Sequence, residues 1–469
     1  MTRHYLDHAS TTPLRPEAAH AMVEAVGRLN AAQAGDPARL HAEGRAIREA
    51  VEVAREQVAS FLGVRPRQVV FTSGATEAAN AAIFGAVARA AEDPSGAGMA
   101  RDDPGTPVEA PGGSPGGSRG GKRAPVVVCA PVEHSCVRDP SRRWGTVAEP
   151  AVDAEGRIGA GSVIATLGAL AQQRNALALS PTAVASSPAS ADGAVVTAAA
   201  PAAAPAAAPA PALAAVDGAA VGERIPAQAP VALVNCQWAN HEVGTVQPVA
   251  AIVAACRARS IPVHVDAAAA AGHVPMDLGA LDADFVSVSS HKLGGPPGIG
   301  ALVIRRGLRI DPLLVGGDQE RGRRAGMENV VGILGFGAAA AAINAQGVDR
   351  EARRAEEHTE RAVEGALAAG GVRTFGARDD RLPHIVCIGI EDVEPEAVLL
   401  GLDQAGVAVH SGSACSSEAL EPSPVLAAMG ADADHSLRIS VGWSTTDEDV
   451  DAFCTAFARV VARLRSLKV

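Results

Sequence analysis

Short, continuously apolar runs alternate with helical periodicities along most of the chain. Residues 126–130, 232–237, 263–266, 285–289 and 300–304 hold apolar side chains without the polar alternation of a half-exposed strand. Such runs are expected of strands buried on both faces. Between and around them, 44–62, 75–90 and 248–259 read as helices. The alternation predicts βαβ units around a parallel sheet, an α/β architecture. After about residue 345 the rhythm changes to a smaller α+β pattern. A helix near 349–369 leads to a strand at 384–390 and a helix at 394–405, then to strands near 407–411 and 437–441 and a closing helix. That last helix starts at Thr446 with Asp449 three residues on, a capping box. Val450, Phe453, Phe457, Val460, Val461 and Leu464 then line one of its faces.

Two stretches break the pattern. Residues 93–124 are dominated by Gly and Pro, and the centre of 171–230 reads TAAAPAAAPAAAPAPALAAV. Proline every few residues prevents a continuous helix, and both stretches read as solvated, mobile insertions; a partner-docking arm is the functional alternative. In the 469-residue chain, apolar residues make up 48% and charged residues 20%, enough for a large core. The net charge of -11 argues against direct nucleic-acid binding, which needs a basic face. The seven cysteines form no C-x-x-C pair, so no metal site is expected, and their odd number fits reduced thiols in a cytoplasm. The first residues, MTRHYLDHASTTP, lack the apolar stretch of a signal peptide, and no apolar run is long enough to suggest a membrane span.

Six segments carry candidate chemistry. At 287–300, SVSSHKLGGPPGIG ends a strand in Ser-His-Lys and opens a Gly/Pro-rich turn. Lys292 there can reach into a crevice as a Schiff-base amine, although most lysines are solvated surface charges. Asp266 ends the buried run VHVD, an expensive place for a charge without a partner. The ring nitrogen of a cofactor is one such partner; a helix cap or an ion pair is another. SGATE at 73–77 turns a strand into a helix, a phosphate cradle or an ordinary capped start. His134 follows a strand in PVEH and could stack on a planar group or serve the structure. Cys415, in HSGSACSS, has flanks that offer it no core to fill, so it reads as exposed and reactive. Arg438, on the apolar strand LRIS, needs an anion: a bound carboxylate or a protein acid serves equally.

Taken in order, YLDHASTTPLRPEA, FTSGATEAAN, VEHSCV, NHEVGTVQP, HVDA, SSHKLGGPPGIGAL, GGDQERGRRAGMENV, HSGSACSS and LRISVGW resemble the NifS/IscS-type cysteine desulfurases. These belong to the fold-type-I enzymes dependent on pyridoxal 5'-phosphate (PLP), of the class-V aminotransferase kind. The resemblance covers nearly everything outside the two insertions. It implies a large PLP-binding domain over 15–345 and a small domain of 1–14 plus 346–469 that carries the cysteine loop. Lys292 would hold the cofactor as a Schiff base, Asp266 would face the pyridine nitrogen, and His134 would stack on the ring and move protons. Ala75, Thr76, Ser289 and His291 would hold the phosphate, and Arg438 the carboxylate of L-cysteine. Cys415 would take the sulfur as a persulfide, leaving alanine, and pass it to an acceptor protein or iron–sulfur scaffold for cluster assembly or tRNA thiolation. A homodimer is also implied.

Several positions depart from the family pattern. His241 stands where Asn usually contacts cofactor and substrate, Ala269 where Gln reaches the phenolic oxygen, and Met327 where Thr reaches a phosphate across the dimer interface. Asp318 replaces a usual Gly. Each lost hydrogen bond costs about 0.5–1.5 kcal/mol. His241 can donate in place of the Asn, and it joins the cofactor-binding candidates. The changes motivate a second hypothesis, a degenerate relative serving as scaffold or sulfur relay; a third is a related PLP enzyme, such as a selenocysteine lyase or an aminotransferase. The SGSAC run speaks against an aminotransferase, which needs no mobile thiol.

Overall fold

The computed structural model describes residues 2–30, 35–92, 124–178, 229–411, 422–431, 433 and 436–467. Its strands are β1 His4–Tyr5, β2 Val69–Thr72, β3 Val126–Val128, β4 Thr146–Ala148, β5 Val231–Gln237, β6 Val263–Asp266 and β7 Phe285–Ser289. They continue with β8 Gly300–Ile304, β9 Val372–Phe375, β10 Ile385–Ile390, β11 Val407–Ala408, β12 His410–Ser411 and β13 Ser436–Ser440. Seven form the main sheet in the order β2-β8-β7-β6-β5-β3-β4. β4, β3, β5, β6 and β7 run parallel, as the buried apolar runs require. β8 departs from the expected parallel array, pairing antiparallel to both β7 and β2. Only residues 290–299 join it to β7, too few for the crossover that a parallel neighbour needs.

A second sheet, β12-β13-β10-β9, is antiparallel. The expected strand 407–411 is in fact two. β11 pairs parallel with β1, whereas β12 pairs with β13. Leu6 packs in the core of this C-terminal part with Ile388, Leu437, Phe453 and Phe457. The closing helix Asp447–Ser466 has the Thr446–Asp449 capping box. The helix Ala160–Ala178 carries regular structure into what reads as the second insertion. Its Leu167 and Leu170 are buried, so the adjoining alanine-rich stretch continues the turn already begun. The first insertion and the rest of the second lie outside the described residues.

The helix Val330–Gln346 is apolar all round because it is covered all round, between the helices Pro16–Asn30 and Ala42–Phe61. A Cβ at its Gly337 would stand 2.7 Å from that of Ala54, so glycine sets how closely the helices approach. Nearby, Arg55 donates from Nη1 and Nη2 to Glu320 at 2.8 and 2.9 Å, while Phe71 N–H donates to Glu320 Oε2 at 3.1 Å. Both charged side chains are almost fully buried. We expect Glu320→Ala to lower stability by about 3 kcal/mol in urea unfolding, because it removes the buried partner of Arg55 and leaves that charge only the half-exposed Glu52 at 3.0 Å.

Candidate active site

Every parallel strand of the main sheet, and β2 as well, points its carboxyl end at one edge, where crevices form in sheets of this kind. Asp266 ends β6 in register with Gln237 of β5 and Ser287 of β7. It is 8% exposed, and its Oδ1 accepts from Ala268 N–H at 3.0 Å and Ser287 Oγ at 2.9 Å. These donors satisfy one oxygen of a buried carboxylate and leave Oδ2 for a ligand. Lys292 lies beyond the end of β7, half-buried. Its main-chain carbonyl accepts from His273 Nε2 at 3.2 Å. The His273 ring stacks on His384 with centroids 3.5 Å apart. Burial pushes His273 down to about 3, and the positive groups Arg15 and Lys292 act in the same direction.

His134 caps the helix Ser135–Trp144, its Nδ1 accepting from Cys136 N–H at 3.1 Å. Its ring meets that of His241 edge to face, with centroids 4.8 Å apart. Burial holds His241 well below an ordinary imidazole, assisted by His134, Lys292 and Arg438. His241 is therefore neutral at physiological pH, and its buried Nδ1 has no protein partner among the described residues. It is placed to offer a ligand a hydrogen bond where an asparagine amide is usual. Arg438 is 2% exposed, with Nη1 donating to His241 O at 3.0 Å. Its Nη2 donates to Asp7 Oδ1 at 3.0 Å and Ser10 Oγ at 2.7 Å. The protein acid thus engages one end of the guanidinium, while buried Nε has no partner among the described residues.

At the neighbouring strand end, Ser73 and Gly74 lead from β2 into the helix Ala75–Glu92. Thr76 is exposed and Ala75 buried in its first turn. Nothing lies within 4 Å of the direction in which a Cβ at Gly74 would project, so the turn is open to a ligand. Behind it, a Cβ at Gly300 would stand 2.7 Å from Gly74 Cα, which is why β8 begins with glycine. Ser289 is paired with Gly300. His291 lies between Ser289 and Lys292 in sequence, and burial followed by the Lys292 charge pushes it down to about 4. Neutral, His291 can still donate to a phosphate oxygen. Amide donors at a long helix's start, a half-paired buried carboxylate and an unpartnered buried imidazole nitrogen fit a planar phosphorylated cofactor such as PLP. Two positions give no such help. Ala269 is packed with Ala9, Ala239, Leu382 and Ile385, and Met327 is 61% exposed.

Sequence reasoning missed Glu133 and the residues that tie Arg438 to the N-terminus. Asp7 and Ser10 become legible only once β1 is seen to join the C-terminal part. Glu133 is wholly buried, and its Oε1 accepts from Gln237 N–H at 2.8 Å. Desolvation pushes its carboxyl up to about 8, with the Asp266 charge acting the same way. The folded state then keeps a proton that the unfolded state releases, so stability falls as pH rises between the two pKa values. For the cofactor-free protein we expect the contribution of this one group to fall by on the order of 3 kcal/mol between pH ~5 and pH ~8, against the buried histidines, whose lowered values act in the opposite direction below pH ~6.5. In urea titrations the stability of Glu133→Gln relative to wild type should rise across this range, leaving the variant the more stable form at the alkaline end.

The class-V aminotransferase family model matches residues 4–94 and 225–453. Both low-complexity stretches fall almost entirely between the two matched blocks. An IscS-like cysteine desulfurase of Mycobacterium tuberculosis is 34% identical over 466 residues, covering 98% of this chain and 97% of its own. A cysteine desulfurase IscS of Dictyoglomus turgidum is 31% identical, covering 99% and 95%. Among solved structures, a NifS-like protein superposes with a TM-score of 0.71 at 24% identity, covering 99% of this chain and 100% of its own. The apo structure of a cysteine desulfurase from Thermococcus onnurineus NA1 gives 0.70 at 20% identity, covering 98% and 95%. Those two structures share the fold, a mainly parallel central sheet flanked by helices. The chain belongs to the class-V aminotransferase family, among its NifS/IscS-type cysteine desulfurases.

Proposed function

We propose that the protein is a PLP-dependent cysteine desulfurase that converts L-cysteine to L-alanine and holds the sulfur as a persulfide on Cys415. The observation that carries this reading is the gathering of Asp266, Lys292 and His134 at one sheet edge, with Arg438 bonded to His241 beside them. PLP, when bound, supplies a ring that accepts the electrons left at the substrate's Cα. Asp266 would face its ring nitrogen, Lys292 would hold it through the side-chain amine, and the 73–76 turn with Ser289 and His291 would hold its phosphate. His134 orients the ring, and His241 offers Nδ1 to cofactor or substrate. Arg438 would draw in the substrate carboxylate, its Nε being the guanidinium nitrogen without a partner among the described residues. The Lys292 amine carries the proton between Cα and the position where it is returned. The Cys415 thiolate then attacks the substrate sulfur. The C–S bond breaks, an S–S bond forms, and the three-carbon remainder takes a proton and leaves as alanine.

The protein would work as a homodimer in the cytoplasm and pass its sulfur to an acceptor or iron–sulfur scaffold protein. Val23, Leu40, Val315 and Met327 are more than half exposed, apolar surface of the kind a second copy covers. The six described cysteines are all free thiols, in keeping with a reducing compartment. No single helix among the described residues is long and apolar enough to cross a membrane. Purified protein supplied with PLP and L-cysteine should turn yellow and yield alanine and, with a reductant, sulfide in equal amounts. A colourless protein that forms neither product overturns the reading.

A further inference from the structure

A row of buried polar side chains crosses the face of the main sheet beneath Asp266. His264 and Asp266 are two apart on β6 and so share that face. Asn235 stands beside His264 on β5, and Ser287 beside Asp266 on β7. Ser141, from the helix Ser135–Trp144, closes the row. His264, Ser287 and Ser141 are completely buried and Asn235 nearly so. His264 Nε2 lies 3.1 Å from Ser287 Oγ, and Ser287 Oγ donates to Asp266 Oδ1 at 2.9 Å. On the other side, His264 Nδ1 lies 2.9 Å from Asn235 Oδ1, and Asn235 Nδ2 donates to Ser141 Oγ at 3.1 Å.

The direction of these bonds follows from counting protons. A serine hydroxyl has one hydrogen. Ser287 spends it on Asp266, so its oxygen must receive the hydrogen of His264 Nε2. With Asn235 presenting its oxygen, Nδ1 also donates and the ring is an imidazolium, linked to the carboxylate through Ser287. Burial opposes that charge and pulls His264 down to about 4, while Asp266 works against the pull. A half-turn of the Asn235 amide leaves a neutral ring and requires Ser141 Oγ, which donates to Val137 O at 2.6 Å, to turn its hydrogen to the amide oxygen instead. Nε2 keeps its hydrogen in both states.

We propose that His264 is a positioning residue for the carboxylate that faces the cofactor: it donates through Nε2 to Ser287, which in turn fixes Asp266 by donating to Oδ1. The inference rests on the reading that Asp266 meets the ring nitrogen of PLP. A buried carboxylate stays ionised and in place only where donors converge on it. The Ala268 amide is one donor, and the His264–Ser287 pair supplies the other. Because both end on Oδ1, Oδ2 is left for the cofactor.

Three variants test this: Ser287→Ala, His264→Phe and His264→Gln. The second removes both ring donors, while the third keeps an N–H near the Nε2 position. Each is titrated with PLP, the visible absorption band of the holoenzyme is followed against pH, and the urea midpoint of the apo form is measured. We expect Ser287→Ala and His264→Phe to bind PLP about tenfold or more weakly, the range of a lost hydrogen bond to a charged group. Their band should titrate at a shifted pH, and His264→Gln should return both quantities toward wild type. Wild-type affinity and an unchanged band in Ser287→Ala overturn the inference, whatever happens to the urea midpoint. That holds equally if His264→Phe fails to fold. A lowered urea midpoint with unaltered affinity and band marks a merely structural role and overturns it too. A wild-type protein with no band overturns the proposed function and this inference with it.

Discussion

Lys292→Ala, purified in the presence of PLP, will be colourless and will form alanine from L-cysteine about 10³-fold or more slowly than the wild type. The effect is large because the side chain is asked to do two things, to hold the cofactor and to carry a proton. Among the described residues there is no other lysine to hold the cofactor, and the imidazoles left to carry a proton are weaker bases than an amine. The imidazoles His241, His273, His291 and His384 are all held below their ordinary values, first by burial and then in part by the Lys292 charge. Truncation leaves the backbone where it is, since the His273 Nε2 bond goes to the main-chain carbonyl of residue 292. Loss of activity in this variant therefore reports on the amine. Absorption spectra and an alanine assay check it, and wild-type turnover in the variant would remove Lys292 from the chemistry.

The second large effect separates the two halves of the reaction. Cys415→Ala is expected to keep the visible band and bind cysteine, while sulfide release with a reductant falls about 10³-fold or more, to background. Cys415 lies outside the described residues, and two observations point to it. β12 pairs His410 with Arg438, so the last described residues before Cys415 in the sequence lie beside the candidate carboxylate site. Five of the six other thiols, all but the half-buried Cys136, are poor nucleophiles. Burial pushes the thiols of Cys129, Cys236 and Cys387 far up, that of Cys256 to about 11, and that of Cys454 upward as well. A raised thiol value means little thiolate at neutral pH. Sulfide release at the wild-type rate from Cys415→Ala would exclude this thiol from the sulfur transfer.

Much of the architecture is legible in the apolar runs. The strands at 263–266, 285–289 and 300–304 coincide with β6, β7 and β8, because a strand buried on both faces leaves an uninterrupted apolar signature. The closing helix begins at the Thr446 cap because the cap is a local hydrogen-bond arrangement. Pairing is less legible. Residues 407–411 look like one strand but serve two sheets, and β8 runs against its neighbours; both depend on partners distant in the chain. The helix Ala160–Ala178 entered a stretch that composition alone assigns to an insertion, because buried leucines upstream hold it.

For the site, the sequence by itself determined which chemical groups are present: an amine at 292, acids at 133 and 266, imidazoles at 134 and 241, a guanidinium at 438 and a thiol at 415. It also marked the absent ones, the missing amide at Ala269 and hydroxyl at Met327. Only the tertiary structure decided how those groups act on one another. It turned His134 and His241 edge to face, gave Arg438 the carboxylate of Asp7, buried Glu133 so that its carboxyl holds a proton, and ran a hydrogen-bonded row from Asp266 to Ser141. The reason is physical. Residue type sets what a group can donate, accept or titrate, whereas Coulomb and hydrogen-bond energies depend on separation, direction and burial, which exist only after distant strands have come together.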